Sequence, residues 1–287
     1  MTKIIQFPIW KNKLKTQQGV TLIELMVGIT IGLLVVATAT GALMASRGIS
    51  STVSEASNLQ QQAAYAFRVI GQQIRQAGSI QLDLNPSIAQ ISTSDSNAAM
   101  IPVAFDPPDP TGARPPFNRS TSSLSGTADP SLTTGYQNYF EYTTTSSSTS
   151  LLRDCLGQNP ATSSSGTLAA TPVITSKFER KASTNELVCT STGNNSAQAI
   201  IGNVTDMKVR YLEQASNVSS MKYLNSNEVT NWSRIYAVEV CLELSGTDKI
   251  PTSDGKYDNC GGTSTSYGDR MKMIFRNIYQ VRSQGNA

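Results

Sequence analysis

The chain reads as an α+β protein, one long N-terminal helix followed by a β-rich domain, and three observations predict it. Residues Val20 to Ala45 form an apolar run broken by a single formal charge, Glu24. Beyond it, to Ala77, apolar residues recur at helical spacing with no proline. After Gly78 the pattern changes to short alternating segments separated by Pro, Ser and Gly clusters, the mark of strands and turns.

The first 19 residues, MTKIIQFPIWKNKLKTQQG, carry four lysines and no acid. Such a basic flank stays in the cytoplasm, which sends everything after the apolar run across the membrane. A secretory signal would end a shorter apolar stretch in a small-x-small cleavage site. This run is about twice that length. As a helix at ~1.5 Å per residue it spans roughly 39 Å, more than the roughly 30 Å of bilayer hydrocarbon. Glu24 is the anomaly, because a carboxylate inside a spanning helix costs about 2.5 to 3.5 kcal/mol and needs a partner.

From Ile49 to Ala77 the apolar stripe is Ile49, Val53, Ala56, Leu59, Ala63, Phe67, Ile70, Ile74 and Ala77, with Gln and Arg on the other faces. Gly78 is placed as the residue that stops the helix. Val20 to Ala77 then form one helix of roughly 87 Å, its first half bare and its second packed on a domain. A coiled coil is the competing reading, disfavoured by an alanine-rich seam.

Strand candidates follow in SIQLDL, AAMIPVAF, NYFEYTTT, PVITSKFERK and ELVCTST. In RIYAVEVCLEL, Tyr236, Val238, Val240, Leu242 and Leu244 share one face and Glu239, Cys241 and Glu243 the other, which is expected to meet water. Met207, Val209 and Tyr211 line one side of MKVRYLE, and RMKMIFRNIYQVR is a further strand. An antiparallel sheet packed on the second half of the helix is the economical arrangement.

Composition narrows function. Of 287 residues none is histidine, which removes the commonest acid/base group and the commonest zinc ligand. The net charge of +3 falls to −1 once the four leader lysines are set aside, so no basic nucleic-acid-binding body is indicated. The four cysteines, Cys155, Cys189, Cys241 and Cys260, all follow the apolar run and suit an oxidising compartment. Three pairings are possible, and proximity favours Cys155 with Cys189 and Cys241 with Cys260. The loop DGKYDNCGG offers Asp254, Asp258 and Asn259 as weak calcium ligands, but without the spacing or closing glutamate of an EF-hand it reads as a solvated turn.

The segment QQGVTLIELMVGITIGLL resembles the type IV prepilin signature. That resemblance implies cleavage after Gly19 by prepilin peptidase, methylation of the new amine at Val20, and an assembly role for Glu24, whose partner would be the Val20 amine of a neighbouring subunit. Many members begin with phenylalanine, so Val20 departs from the usual residue. The segments RVIGQQIRQAGSI, DCLG, LVCT, NVTDMKVRYLEQ, NWSRIYAVEVCLEL and FRNIYQVR are similar to the PilW family of minor pilins. The family implies a pilin fold with a leader at 1–19, a helix at 20–77 whose 20–46 portion is transmembrane or filament core, and a head at 78–287. It implies a non-enzymatic subunit without cofactor that primes pilus assembly at the tip. Its partners would be other minor pilins, the major pilin, the peptidase, the inner-membrane assembly platform and a tip adhesin. The expected course is from single-pass inner-membrane precursor, N-terminus in the cytoplasm, to a pilus on a Gram-negative cell. The alternatives are a pseudopilin capping the pseudopilus of type II secretion, a minor pilin for DNA uptake, and a membrane-anchored enzyme, against which the missing histidine and nucleophile motifs argue.

Overall fold

The computed structural model describes residues 19–83, 104–105, 117–126, 130–139, 141–142, 148–158, 173–192, 194–214, 221–249 and 255–281. The leader before Gly19, most of the AAMIPVAF segment and Asp254 lie outside the described residues.

The elements in order are α1 (Leu22–Gln76), β1 (Leu82–Asp83), β2 (Ala104–Phe105), α2 (Arg119–Ser122), β3 (Leu124–Ser125), β4 (Ser131–Gln137), β5 (Glu141–Tyr142), β6 (Ser148–Thr149), β7 (Val173–Lys181), β8 (Glu186–Ser191), β9 (Asn194–Ile201), β10 (Val204–Gln214), β11 (Met221–Leu224), β12 (Ile235–Lys249), β13 (Lys256–Asp258), β14 (Ser264–Ser266) and β15 (Arg270–Gln280). The chain forms two compact units, Met1–Val53 and Ser54–Ala287.

In the first unit the described chain is the beginning of α1, and every described residue is exposed. Its hydroxyls are satisfied within the helix. Thr30 donates to the Val27 carbonyl, Thr38 to Leu34 and Val35, and Thr40 to Val36 and Ala37. Back-bonding of this kind lets threonines sit on an apolar surface without an unpaired group, as a bilayer requires.

In the second unit α1 buries Leu59, Ala63, Ala66, Ile70, Gly71, Gln73 and Ile74, a stripe at spacings of three and four. Ile49 and Val53, the first two members of the predicted stripe, are exposed. Periodicity continues through both units, whereas burial begins only where strands are present to cover the helix. Gly78 adopts φ +74° after the last turn, and its N–H donates to the Gly135 carbonyl of β4 at 2.9 Å. The left-handed conformation costs glycine nothing and turns the chain onto the sheet.

Two antiparallel sheets build the core, where one was expected. The four-stranded sheet has the order β11-β10-β12-β15 and the five-stranded sheet the order β3-β4-β7-β8-β9. Register in the first aligns Met207 with Leu242, Val209 with Val240, Tyr211 with Val238, Leu244 with Met273 and Leu242 with Phe275. One face is therefore a continuous apolar layer that joins the helix stripe in the core. The second sheet adds Leu132, Tyr136, Ile174, Phe178, Leu187 and Cys189, all fully buried or nearly so.

The additional strands come from sequence without apolar alternation. β4 is SLTTGYQ, yet Ser131, Thr134, Tyr136 and Gln137 are buried. It is a strand because its polar groups are used: the Gln137 Oε1 accepts from Gln81 N at 2.6 Å, and the backbone of Gly135 bonds both Gly78 and Ser123. A side chain at Gly135 would strike the Ser122 carbonyl at once.

Candidate functional site

The N-terminal end of the described chain is built by two residues. Thr21 precedes the first turn of α1, and Glu24 is its third helical residue. The Glu24 Oε2 accepts from Thr21 N at 3.1 Å and from the Thr21 hydroxyl at 2.8 Å, while Glu24 N donates to the Thr21 Oγ1 at 3.3 Å. This reciprocal arrangement is a capping box, which satisfies helix N–H groups that have no carbonyl one turn earlier. Its T-x-x-E signature is present in the sequence as Thr21 and Glu24, and it gives the acid a partner within its own chain besides the intermolecular one the prepilin resemblance implies. Within one chain, then, Glu24 is oriented by Thr21, and the carboxylate is held at the helix N-terminus, where the helix dipole favours negative charge.

Around this cap the surface is apolar. Val20 is 74% exposed, Leu22 76% and Ile23 70%, and the same holds on all sides as far as Met44. This helix is long and apolar enough to cross a membrane, and the apolar window is wholly unburied. Gly28 and Gly32, one turn apart, have open space where a Cβ would stand. Small residues at this spacing let another helix approach closely, a feature absent from the motif-based expectation.

The second unit has a different chemistry. Glu239 and Glu243, expected on a solvated face of β12, are buried at 4% exposure each. The reason is that the other face of the sheet is also covered. β13 and β14 form a hairpin over it, tied down by the Cys241–Cys260 disulfide. Each glutamate is matched by cations from the flanking strands. Glu239 receives Arg210 Nη2 at 2.6 Å and Arg276 Nη1 at 3.5 Å. Glu243 receives Lys272 Nζ at 3.0 Å, the Tyr257 hydroxyl at 2.9 Å and the Thr205 hydroxyl at 2.8 Å. Burial opposes the charge on Lys272, but the Glu243 carboxylate and the Tyr257 hydroxyl outweigh it and hold the ammonium above its ordinary range. Burial, with Glu243 beside it, also raises Tyr257, against the opposing pull of Lys272. Paired in this way, Glu243 holds the hairpin on the sheet through Tyr257 while Glu239 ties β12 to both of its neighbouring strands, and neither is placed as a free acid/base group.

The second disulfide joins Cys155 to Cys189, with Cα atoms 6.5 Å apart against 5.7 Å for Cys241 and Cys260. It fastens the turn at residues 154–157 to β8. Closing loops of these lengths contributes roughly 3 to 4 kcal/mol each in the chain-entropy picture. Asp258 lies exposed on β13, and among the described residues no group of three or more acidic or cysteine side chains is gathered as a metal would require.

Comparison with known families separates along the same line. Residues 14–40 match the prokaryotic N-terminal methylation motif, which spans Gly19, Val20, Thr21 and Glu24. Residues 173–283 match the family of type IV pilus-assembly protein W, PilW, covering β7 to β15 with both buried glutamates. Together the two matches make this chain similar to PilW-like type IV prepilins, in its N-terminal segment and in its last nine strands. No curated protein matches it. Among solved structures a type IV-like pilin from Thermus thermophilus is 12% identical, with a TM-score of 0.30 over 55% of this chain and 81% of that one. A likeness so slight leaves the fold of the PilW-like chain to be read from its own helix and sheets. Pilin families are structural and non-enzymatic, and the methylation motif heading an apolar helix supports a membrane-anchored pilin precursor.

Proposed function

We propose that this prepilin is a minor pilin of a type IV pilus. Residues 1–19 are a leader, which prepilin peptidase removes between Gly19 and Val20, and the freed Val20 amine is methylated. The helix at 20–77 then passes from the membrane into the filament, and residues 78–287 form the head. The subunit acts with other minor pilins on the inner-membrane assembly platform to prime assembly and stays in the tip complex, where it meets the major pilin and an adhesin. It carries no catalytic centre. The precursor waits in the inner membrane with its N-terminus in the cytoplasm and reaches the cell surface in the pilus.

The observation that carries this reading is the bare apolar helix with Glu24 at its head. A carboxylate there is unfavourable in isolation and favourable beside the cationic Val20 amine of a neighbour. The capping box adds a reason for threonine at 21, since it fixes the carboxylate that the incoming amine must meet. Gly28 and Gly32 give the partner helix room.

Replacing Gly19 by a bulky residue tests the processing step, and uncleaved precursor should accumulate in the membrane. Glu24→Ala should be cleaved normally yet enter filaments poorly. Normal cleavage in the first variant, or normal incorporation of the second, overturns the assignment. Loss of the gene should abolish surface pili. Secreted enzymes trapped in the periplasm with pili intact would move the chain to type II secretion instead.

A further inference from the structure

β12 and β15 pair residue by residue as far as Ser245 opposite Lys272 and resume at Lys249 opposite Arg270, so Gly246, Thr247 and Asp248 bulge against a single residue of β15. The N–H groups of Thr247 and Asp248, released from the ladder, both turn to Glu55 Oε1 of α1, the second at 2.8 Å. The Thr247 hydroxyl adds a third bond at 3.2 Å. Two successive backbone N–H groups converging on one oxygen form a nest for an anion. From β15, Arg270 Nη1 donates to the carbonyls of Gly246 and Thr247 and holds the bulge from its other side. The site also depends on glycine at 246, because a Cβ there would lie 2.5 Å from the Glu55 carboxyl carbon and 2.6 Å from both its oxygens. The carboxylate fills the volume that any other side chain would occupy.

The position of this contact in the chain is informative. Glu55 is the second residue of the second unit and stands one turn before Leu59, the first buried residue of α1. Among the described residues, no α1 side chain nearer the N-terminus hydrogen-bonds a strand. The stripe that follows, Leu59, Ala63, Ala66 and Ile70, is held by non-directional apolar contacts, and among the described residues the next polar ties from strands reach α1 only at the Phe67 carbonyl and Gln73. A carboxylate seated in a two-donor nest cannot slide without exchanging all three of its bonds for water.

We propose that Glu55 is a positioning residue for assembly, a catch that locks the register of α1 against β12 when the helix is loaded along its axis. This rests on the filament reading above. A subunit gripped through residues before Val53 passes any axial pull to its head through the backbone at Ser54 and Glu55, and the catch is the first polar anchor that pull meets. Gly246, Thr247, Asp248 and Arg270 form the receiving part.

The experiment uses the full chain in detergent micelles, with amide exchange followed by mass spectrometry for wild type, Glu55→Ala, Glu55→Gln and Gly246→Ala. Glu55→Ala should speed exchange of the Thr247 and Asp248 amides and of the helix amides around Glu55 by about 10-fold, while protection at Phe67 to Ile74 persists and reports an intact head. Glu55→Gln should fall between the two, and Gly246→Ala should match Glu55→Ala. Excess formate should restore protection at Thr247 and Asp248 in Glu55→Ala but not in the helix, because a free anion fills the nest without tethering α1. In cells Glu55→Ala should be cleaved at Gly19 like wild type yet recovered in sheared filaments at a reduced level. Unchanged exchange, formate that restores helix protection as well, or equal incorporation overturns the catch. Wild-type protein that is neither cleaved nor found in filaments overturns the underlying pilin reading instead.

Discussion

Gly71→Ala is a demanding test of the way the last strand closes on the helix. A Cβ at position 71 would lie 2.5 Å from Tyr279 Cε1 and 3.1 Å from Cδ1 and Cζ. The ring has no easy retreat, since the Tyr279 hydroxyl donates to the Phe67 carbonyl at 2.7 Å and accepts from Asn277 Nδ2 at 3.1 Å. Alanine in a helix interior is favoured over glycine by about 1 kcal/mol. Forcing a methyl into a packed site costs about 1 to 3 kcal/mol, and loss of the Tyr279 hydrogen bond adds about 1 kcal/mol. The net expectation is destabilisation by about 1 to 3 kcal/mol, read as a lower denaturation midpoint of the full chain in detergent. In a Tyr279→Ala background the obstacle is gone and the sign should reverse, with Gly71→Ala stabilising by up to about 1 kcal/mol. If Gly71→Ala stabilises the wild-type background, the packing of β15 on α1 described here is wrong.

Two further predictions concern charge. Glu239→Ala should destabilise the head by about 1 to 3 kcal/mol, since Arg210 and Arg276 lose their shared carboxylate, whereas Glu179→Ala, which breaks a surface pair with Lys177, should change stability by less than about 0.5 kcal/mol. Equal effects in denaturant titrations would contradict the burial of β12's second face. Burial first, against a smaller opposing effect of Asn277 and Arg75, raises Tyr279 from its ordinary 10.0 to about 12. A phenol whose folded value is raised adds stability that is complete below the unfolded value and lost as pH climbs to the folded one. Wild-type stability should therefore fall between about pH 10 and 12 more steeply than that of Tyr279→Phe, and parallel curves would refute the assignment.

The helix, β10 and β12 are legible in sequence because their apolar residues keep one period over many residues and the folded chain buries them accordingly. Met207, Val209 and Tyr211 face the core as alternation requires. β4 and β9 are not legible. SLTTGYQ and NNSAQAII resemble the surrounding Ser/Thr-rich loops, and only the partners that satisfy β4's polar groups make it a strand. The burial of Glu239 and Glu243 is not legible, because alternation distinguishes two faces but cannot say that a hairpin from residues 256–266 covers the second. Ile49 and Val53 continue the stripe's period, yet a period carries no information on where the covering sheet ends. At the candidate site, Glu24 stands out as an acid in an apolar run, while Thr21 goes unnoticed because threonine is unremarkable until its hydroxyl is seen to meet that acid.

In the proposed course the precursor is cut between Gly19 and Val20 and the resulting subunit enters a filament. Intact-mass and peptide mass spectrometry of sheared surface filaments tests it directly. This chain should be present at low abundance, beginning at Val20 with one methyl group on its amine. A chain still beginning at Met1, a terminus elsewhere, or an unmethylated Val20 in assembled filaments would contradict it.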